Sequence, residues 1–338
     1  VLSVVAAATV AWTYGLPLRD PDGAPGPTFL RLPAMIVLAL AIDVIPRVIA
    51  RADGWHDVRR TAGTVARERW TPANLRFTLI GLVGWYATYA AIRNLKGFVP
   101  FVNHNLYDDH LDRIDRDIFL GHRPATLLHD VLGSGLAAHV LSVSYLSWIF
   151  ALPVSLAIAL VWVRRARVGT WWITAVSLDW ILGVAVNFSV PTLGPVYQRP
   201  AEFAGLAHTR TADLQQSMMD DRMQVLAHPV HAHFVQNIAA FASLHVAIVM
   251  TACVVAHRSD LRHWIVWALR GFLAITMVDT VYFGWHYVSD VVAGVLLGIA
   301  GARLAEHFAA TEQDEPADDA QADSQLGAPH LAGSRAGQ

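Results

Sequence analysis

The stretch "DTVYFGWHYVSDVVAGVLLG", residues 279–298, places His286 four positions ahead of Asp290 at the entry to an apolar, glycine-punctuated run. On a helix that spacing puts both side chains on one face, so the carboxylate can accept a hydrogen bond from the imidazole. Such a bond fixes the tautomer and raises the basicity of the other ring nitrogen. Taken alone, the pair fits an interface histidine held for solubility as well as it fits catalysis. Ionisable groups at membrane spans are nevertheless functional candidates. A second stretch, "FASLHVAIVM" at 241–250, supplies Ser243 and His245, and a third, "PTLGPVYQRP" at 191–200, supplies Arg199 among three prolines. Two imidazoles, one backed by a carboxylate and with an arginine nearby, suit phosphoryl transfer through a covalent intermediate. One ring attacks phosphorus and the other protonates the departing oxygen. Cations and backbone N–H groups hold the remaining phosphate oxygens.

The elements that must position these groups are membrane helices. Of 338 residues 54% are hydrophobic and 15% charged, against roughly a quarter charged in soluble chains. The apolar residues come in blocks of the roughly 20-residue length that crosses a bilayer. Eight spans are expected, at about 1–18, 30–50, 75–92, 137–163, 169–190, 238–257, 263–284 and 287–306. Asp43, Pro46 and Arg47 weaken the second, and the first is short. The connections at 51–74, 164–167 and 258–262 are rich in arginine, and by the positive-inside tendency they lie in the cytoplasm. The segments 93–136, 191–237 and 285–286, which carry the chemistry, then face outward.

Three regions follow: N-terminal spans and a basic loop over 1–74, a catalytic membrane domain over 75–307, and an acidic Ala/Gly/Pro-rich tail over 308–338, expected to be disordered. The chain opens at Val1 inside an apolar stretch, so the natural N-terminus is expected to lie upstream. One cysteine, Cys253, excludes an internal disulfide and a cysteine metal cluster. A net charge of −2 gives no field that would attract nucleic acid. His228, His231 and His233 could offer two or three ligands to zinc, but no carboxylate or cysteine completes the set. No metal and no cofactor is therefore expected. Asp43, Asp179, Asp279 and Arg270, inside predicted spans, are expected to pair with one another.

The paired motifs resemble the type 2 phosphatidic acid phosphatase superfamily, whose patterns read K-x6-R-P, P-S-G-H and S-R-x5-H-x3-D. Ser243 and His245 match the second, His286 and Asp290 the third, and Arg199 and Pro200 the end of the first. Thr192 stands where the first motif has its lysine, and Asp279 and Thr280 stand where the third has Ser and Arg. The variant is similar to the inositolphosphotransferase branch, which includes fungal inositol phosphorylceramide synthase, through "SLH" and through Thr280, Tyr282, His286, Tyr287 and Asp290. The stretch "LDRIDRDIFLGHRPATLLHD", 111–130, also resembles that branch.

The resemblance implies an all-α, polytopic membrane helical bundle of about eight transmembrane helices around a six-helix phosphatase-like core. It makes His286 the nucleophile, Asp290 its orienter and His245 the general acid. Ser243, Arg199, Thr280, Tyr282 and Tyr287 become substrate contacts, and Arg93, Lys96, Arg116 and Arg123 are candidates for the missing cations. The implied partners are a lipid phosphate or phospholipid substrate and the bilayer, with the active site facing outward from a plasma membrane. Either hydrolysis or headgroup transfer fits. The rival reading is a transporter or scramblase, which an inverted repeat would favour, and none is visible. A non-catalytic relative is the third, disfavoured by the intact His245, His286 and Asp290.

Overall fold

The computed structural model describes residues 1–21, 28–162 and 166–311. Part of the 164–167 connection and the tail from 312 onward lie outside the described residues. Among the described residues there are thirteen α-helices: α1 (Leu2–Tyr14), α2 (Thr28–Arg51), α3 (Val58–Arg69), α4 (Pro72–Val102), α5 (Asp108–Ile118), α6 (Pro124–Leu132), α7 (Leu136–Ala157), α8 (Ala166–Ser189), α9 (Pro195–Gln198), α10 (Arg210–Ala227), α11 (Leu244–Arg258), α12 (His263–Tyr282) and α13 (Val288–Thr311). No strand occurs among the described residues. Five helices are long and apolar enough to cross a membrane: 74–102, 136–160, 167–189, 263–282 and 288–308. The chain is thus an all-α integral membrane protein. Among the described residues that measure reaches five of the eight expected spans; Leu2–Tyr14 and Leu244–Arg258 are apolar but short.

Helices α4, α7, α8, α11, α12 and α13 form the core, with α13 wedged between α8 and α11. The wedge depends on small residues. Gly294, Gly298 and Gly301 follow one another at helical spacing on α13, and a Cβ on any of them would collide with a neighbour. Gly294 and Gly298 press on the Ser243 and Ala247 carbonyls of the α11 strip, and Gly301 on Asp179. In lipid, where apolar burial drives little association, such close backbone approach is what holds helices together. Trp171 adds a hydrogen bond across the same interface, its indole N–H donating to the Ala302 carbonyl at 2.8 Å.

The buried charges are not arranged as expected. Asp43 pairs with Arg47 and Arg69 rather than with Arg270. Asp179 accepts from the Thr251 hydroxyl at 2.7 Å, and Arg270 lies over the Trp267 ring. Asp279, the remaining carboxylate of the set, is buried in α12.

Helix α4 runs ten residues beyond the predicted 75–92 span. Arg93, Asn94 and Lys96 break the apolar run in the sequence, yet the helix continues through them, with Asn94 served by a tertiary partner. The Asn94 amide donates to the Arg19 and Ala90 carbonyls, both at 2.8 Å. Lys96 therefore sits on a core helix rather than in an outer loop.

Candidate active site

Connectivity brings the ends of α4, α8 and α12 and the starts of α7, α11 and α13 to one end of the bundle. His286 lies in the tight turn between α12 and α13. The N–H groups of Trp285 and His286 both donate to the Thr280 carbonyl, at 2.9 and 3.2 Å. Gly284 makes that turn with φ +68°, and a side chain there would strike the Phe203 ring. The turn is pinned from outside as well, since Val196 N–H donates to the Gly284 carbonyl at 2.9 Å.

Asp290 occupies the third position of α13. Its Oδ2 accepts the Tyr287 N–H at 3.0 Å, the backward half of a capping box. The same oxygen stands 3.4 Å from His286 Nδ1. One buried carboxylate thus caps the helix and holds the imidazole, while its Oδ1 has no hydrogen-bond partner. Burial, and then the Lys96 ammonium, push His286 down to about 3 despite an opposing contact with the Ala240 carbonyl. The ring is neutral at physiological pH, as a nucleophile requires.

His245 sits in the first turn of α11 with its ring centroid 5.7 Å from that of His286, edge to face. Tyr145 and Trp148 pack against it at 5.1 and 4.3 Å. Both histidines line one cavity together with Lys96, Tyr145, Tyr197 and Trp285. Ser243, expected to contact substrate, is the N-cap of α11: its Oγ accepts the Val246 N–H at 3.4 Å, and the residue is fully buried.

A second cavity opens on the other side of His286. It is lined by Arg123, Arg199, Asp112, Glu202 and Tyr287. Asp112 gathers three guanidinium groups: Arg116 at 3.1 Å, Arg123 at 2.9 Å and Arg199 at 2.9 Å. Burial alone would raise its carboxyl, but those cations hold it below the usual carboxylate range.

The sequence reading missed the role of α5. Asp108, Asp112 and Asp115 lie at i, i+4 and i+7, and all three are buried. Asp108 accepts from the N–H groups of Leu193 and Gly194, between 2.9 and 3.1 Å, and from the Tyr287 hydroxyl at 3.2 Å. Asp115 accepts from Val288 N–H at 2.6 Å and Ser289 N–H at 3.0 Å, capping α13 from another helix. Burial raises both carboxyls against these hydrogen bonds. The i, i+4, i+7 periodicity of the acids is visible in the sequence, but nothing local in it shows that they cap α13 and hold the 193–194 turn.

The other expected residues divide. Lys96, Arg123, Arg199 and Tyr287 reach the two cavities. Thr280 and Tyr282 line neither: the Thr280 hydroxyl donates to the Thr276 carbonyl at 2.7 Å, and the Tyr282 hydroxyl to the Gly133 carbonyl at 2.7 Å. Their part is to hold the turn that carries His286. Arg93 also stays outside, with its guanidinium over Tyr89. His228, His231 and His233 are exposed, and no cluster of metal-ligating side chains is found among the described residues.

No curated protein and no solved structure matches the chain. A family model does, over residues 109–304, which contain His245, His286, Asp290, Arg199 and the whole α5 clamp apart from Asp108. With more than half of its length matched in this way, the chain belongs to the PAP2 superfamily.

Proposed function

We propose that the chain is an integral membrane phosphatase or phosphotransferase that acts on a lipid phosphate or phosphodiester through a phosphohistidine-type intermediate. Membership of the superfamily points to phosphatase-type chemistry on lipids. The observation that carries the residue roles is the pair of facing imidazoles. One is tied to a buried carboxylate, the other stands 5.7 Å away, and Lys96 lines the cavity they share.

His286 is the nucleophile. Its free nitrogen forms a bond to phosphorus while the P–O bond to the leaving alcohol breaks. Asp290 keeps the proton of Nδ1 in place and offsets the positive charge that grows on the ring. His245 donates a proton to the departing alkoxide. In the second half His245 takes a proton from water or an acceptor alcohol, whose oxygen attacks phosphorus and frees His286. Arg199 and Arg123 on one side and Lys96 on the other stabilise the phosphate oxygens. Water as acceptor gives hydrolysis, and an alcohol gives headgroup transfer. Similarity of the "SLH" and His286–Asp290 motifs to the inositolphosphotransferase branch supports inositol-phosphate transfer as the specific form. A transporter reading has no comparable support.

The test is rapid quench with a labelled phosphate donor, which should trap an acid-labile, base-stable adduct. The adduct should vanish in His286→Ala. Its persistence at wild-type level in that variant would remove His286 from the nucleophile role.

A further inference from the structure

A third cavity adjoins the first, sharing Leu193, Ile238 and Ala239 in its wall. Its lining is mainly apolar, with Leu106 and Leu226 at its exposed edge. Inside it stands a cation, Arg222 of α10, only 9% exposed. Among the described residues no carboxylate pairs directly with that guanidinium, although the buried Asp108 acts on it at longer range. Its hydrogen bond is to a neutral group, the Gln236 Oε1 at 3.2 Å. This sets it apart from Arg116, Arg123 and Arg199, all of which meet Asp112.

Gln236 is itself fully buried and fixed on every side. Its Oε1 also accepts the Ile238 N–H at 3.0 Å, and its amide donates to the carbonyls of Lys96 and Gly97 at 3.1 and 3.4 Å. One side-chain amide therefore separates Arg222 from the turn of α4 that carries Lys96. A buried charge is retained at high cost unless it is paired, and a site of low dielectric strengthens its attraction for an anion.

We propose that this cavity is a subsite for a second anionic group of the substrate, with Arg222 as its cation. The reading rests on phosphoryl transfer at His286 and extends it to the substrate class: molecules bearing a phosphate or carboxylate beyond the phosphate that reacts. The apolar lining accepts the carbon skeleton that links the two.

Two phosphate monoesters that differ in one carboxylate test this: 3-phosphoglycerate and glycerol 3-phosphate. Arg222→Gln should raise KM for 3-phosphoglycerate about tenfold relative to KM for glycerol 3-phosphate, and Arg222→Lys should recover much of the difference. Equal changes for the two esters would overturn the subsite. Inorganic sulfate should raise the melting temperature of the detergent-solubilised wild type, and raise it less in Arg222→Gln. An equal rise in both proteins would also overturn it. If the wild type turns over neither ester, phosphate release from phosphatidic acid decides whether phosphoryl transfer at His286 holds, and the sulfate comparison decides whether Arg222 holds an anion. A sulfate effect without ester discrimination would assign the site to a free anion and defeat the proposal as stated.

Discussion

Replacing Asp290 by Asn isolates the charge of that carboxylate from its shape. The amide oxygen can take the place of Oδ2 and still accept from Tyr287 N–H and His286 Nδ1, and the amide nitrogen takes the place of Oδ1, which has no partner to lose. The helix cap and ring orientation survive, and the negative charge is gone. As His286 attacks phosphorus its ring becomes cationic. A unit charge pair about 4 Å apart is worth about 4 kcal/mol at an effective dielectric of about 20. With about 1.4 kcal/mol for each tenfold change in rate, kcat should fall about a thousandfold. KM should change little, because the charge exists only on the way to the intermediate. The assay is steady-state phosphate release from phosphatidic acid in mixed micelles, with a thermal melt of the same preparation to establish folding. A loss of less than about fivefold in folded protein would refute the reasoning: the carboxyl would then carry no charge at the reacting ring.

Three further expectations follow from the site and its surroundings. In a Cys253→Ala background, a cysteine replacing the exposed Gly205 should react with an impermeant maleimide on intact cells; reaction only after the inner face is opened would reverse the proposed orientation. Activity should survive exhaustive treatment with EDTA, whereas loss restored by zinc would bring His228, His231 and His233 to the centre of the chemistry. His286 titrates at about 3 in the fold and at about 6.5 when unfolded. Between those values the unfolded chain gains a proton here that the folded chain does not, so this residue's share of stability is lost as pH falls through that window. His286→Gln should flatten the acid side of the melting temperature profile between pH 7 and 4, and unchanged slopes would contradict the assignment.

Much of the arrangement was legible in the sequence because membrane helices announce themselves by apolar length. The predicted 263–284 and 287–306 spans match α12 and α13 within a few residues. His286 and Asp290 needed only the helical period to be paired. Other features were hidden for identifiable reasons. Lys96 was placed in a loop because polar residues interrupt the α4 run, and nothing local reveals that Arg19 satisfies Asn94. The predicted 238–257 span began too early, since 238–242 are apolar yet non-helical, and Ile238, Ala239, Ala240 and Ala242 form cavity wall. Ser243 and Thr280 match motif positions, but their hydroxyls are bonded to backbone groups. Motif spacing specifies residue type and depth, whereas hydrogen-bond direction comes from packing.

The α5 clamp also bears on how the protein is made. Asp115 reaches across 173 residues to Val288, and Asp108 across 86 to Gly194 and 179 to Tyr287. Contacts so distant along the chain form late, because the intervening loop must close before they return any stabilisation. The long apolar helices insert and associate first, while α5 is short and charged and can dock only onto ends already assembled. Competence for chemistry is therefore a last event of biogenesis: a half-translocated or mispaired bundle holds its helices but not the turn that carries His286. Turnover measured during synthesis would report completion of the whole topology, and a chain interrupted before α13 would be inert toward phosphate from the outset.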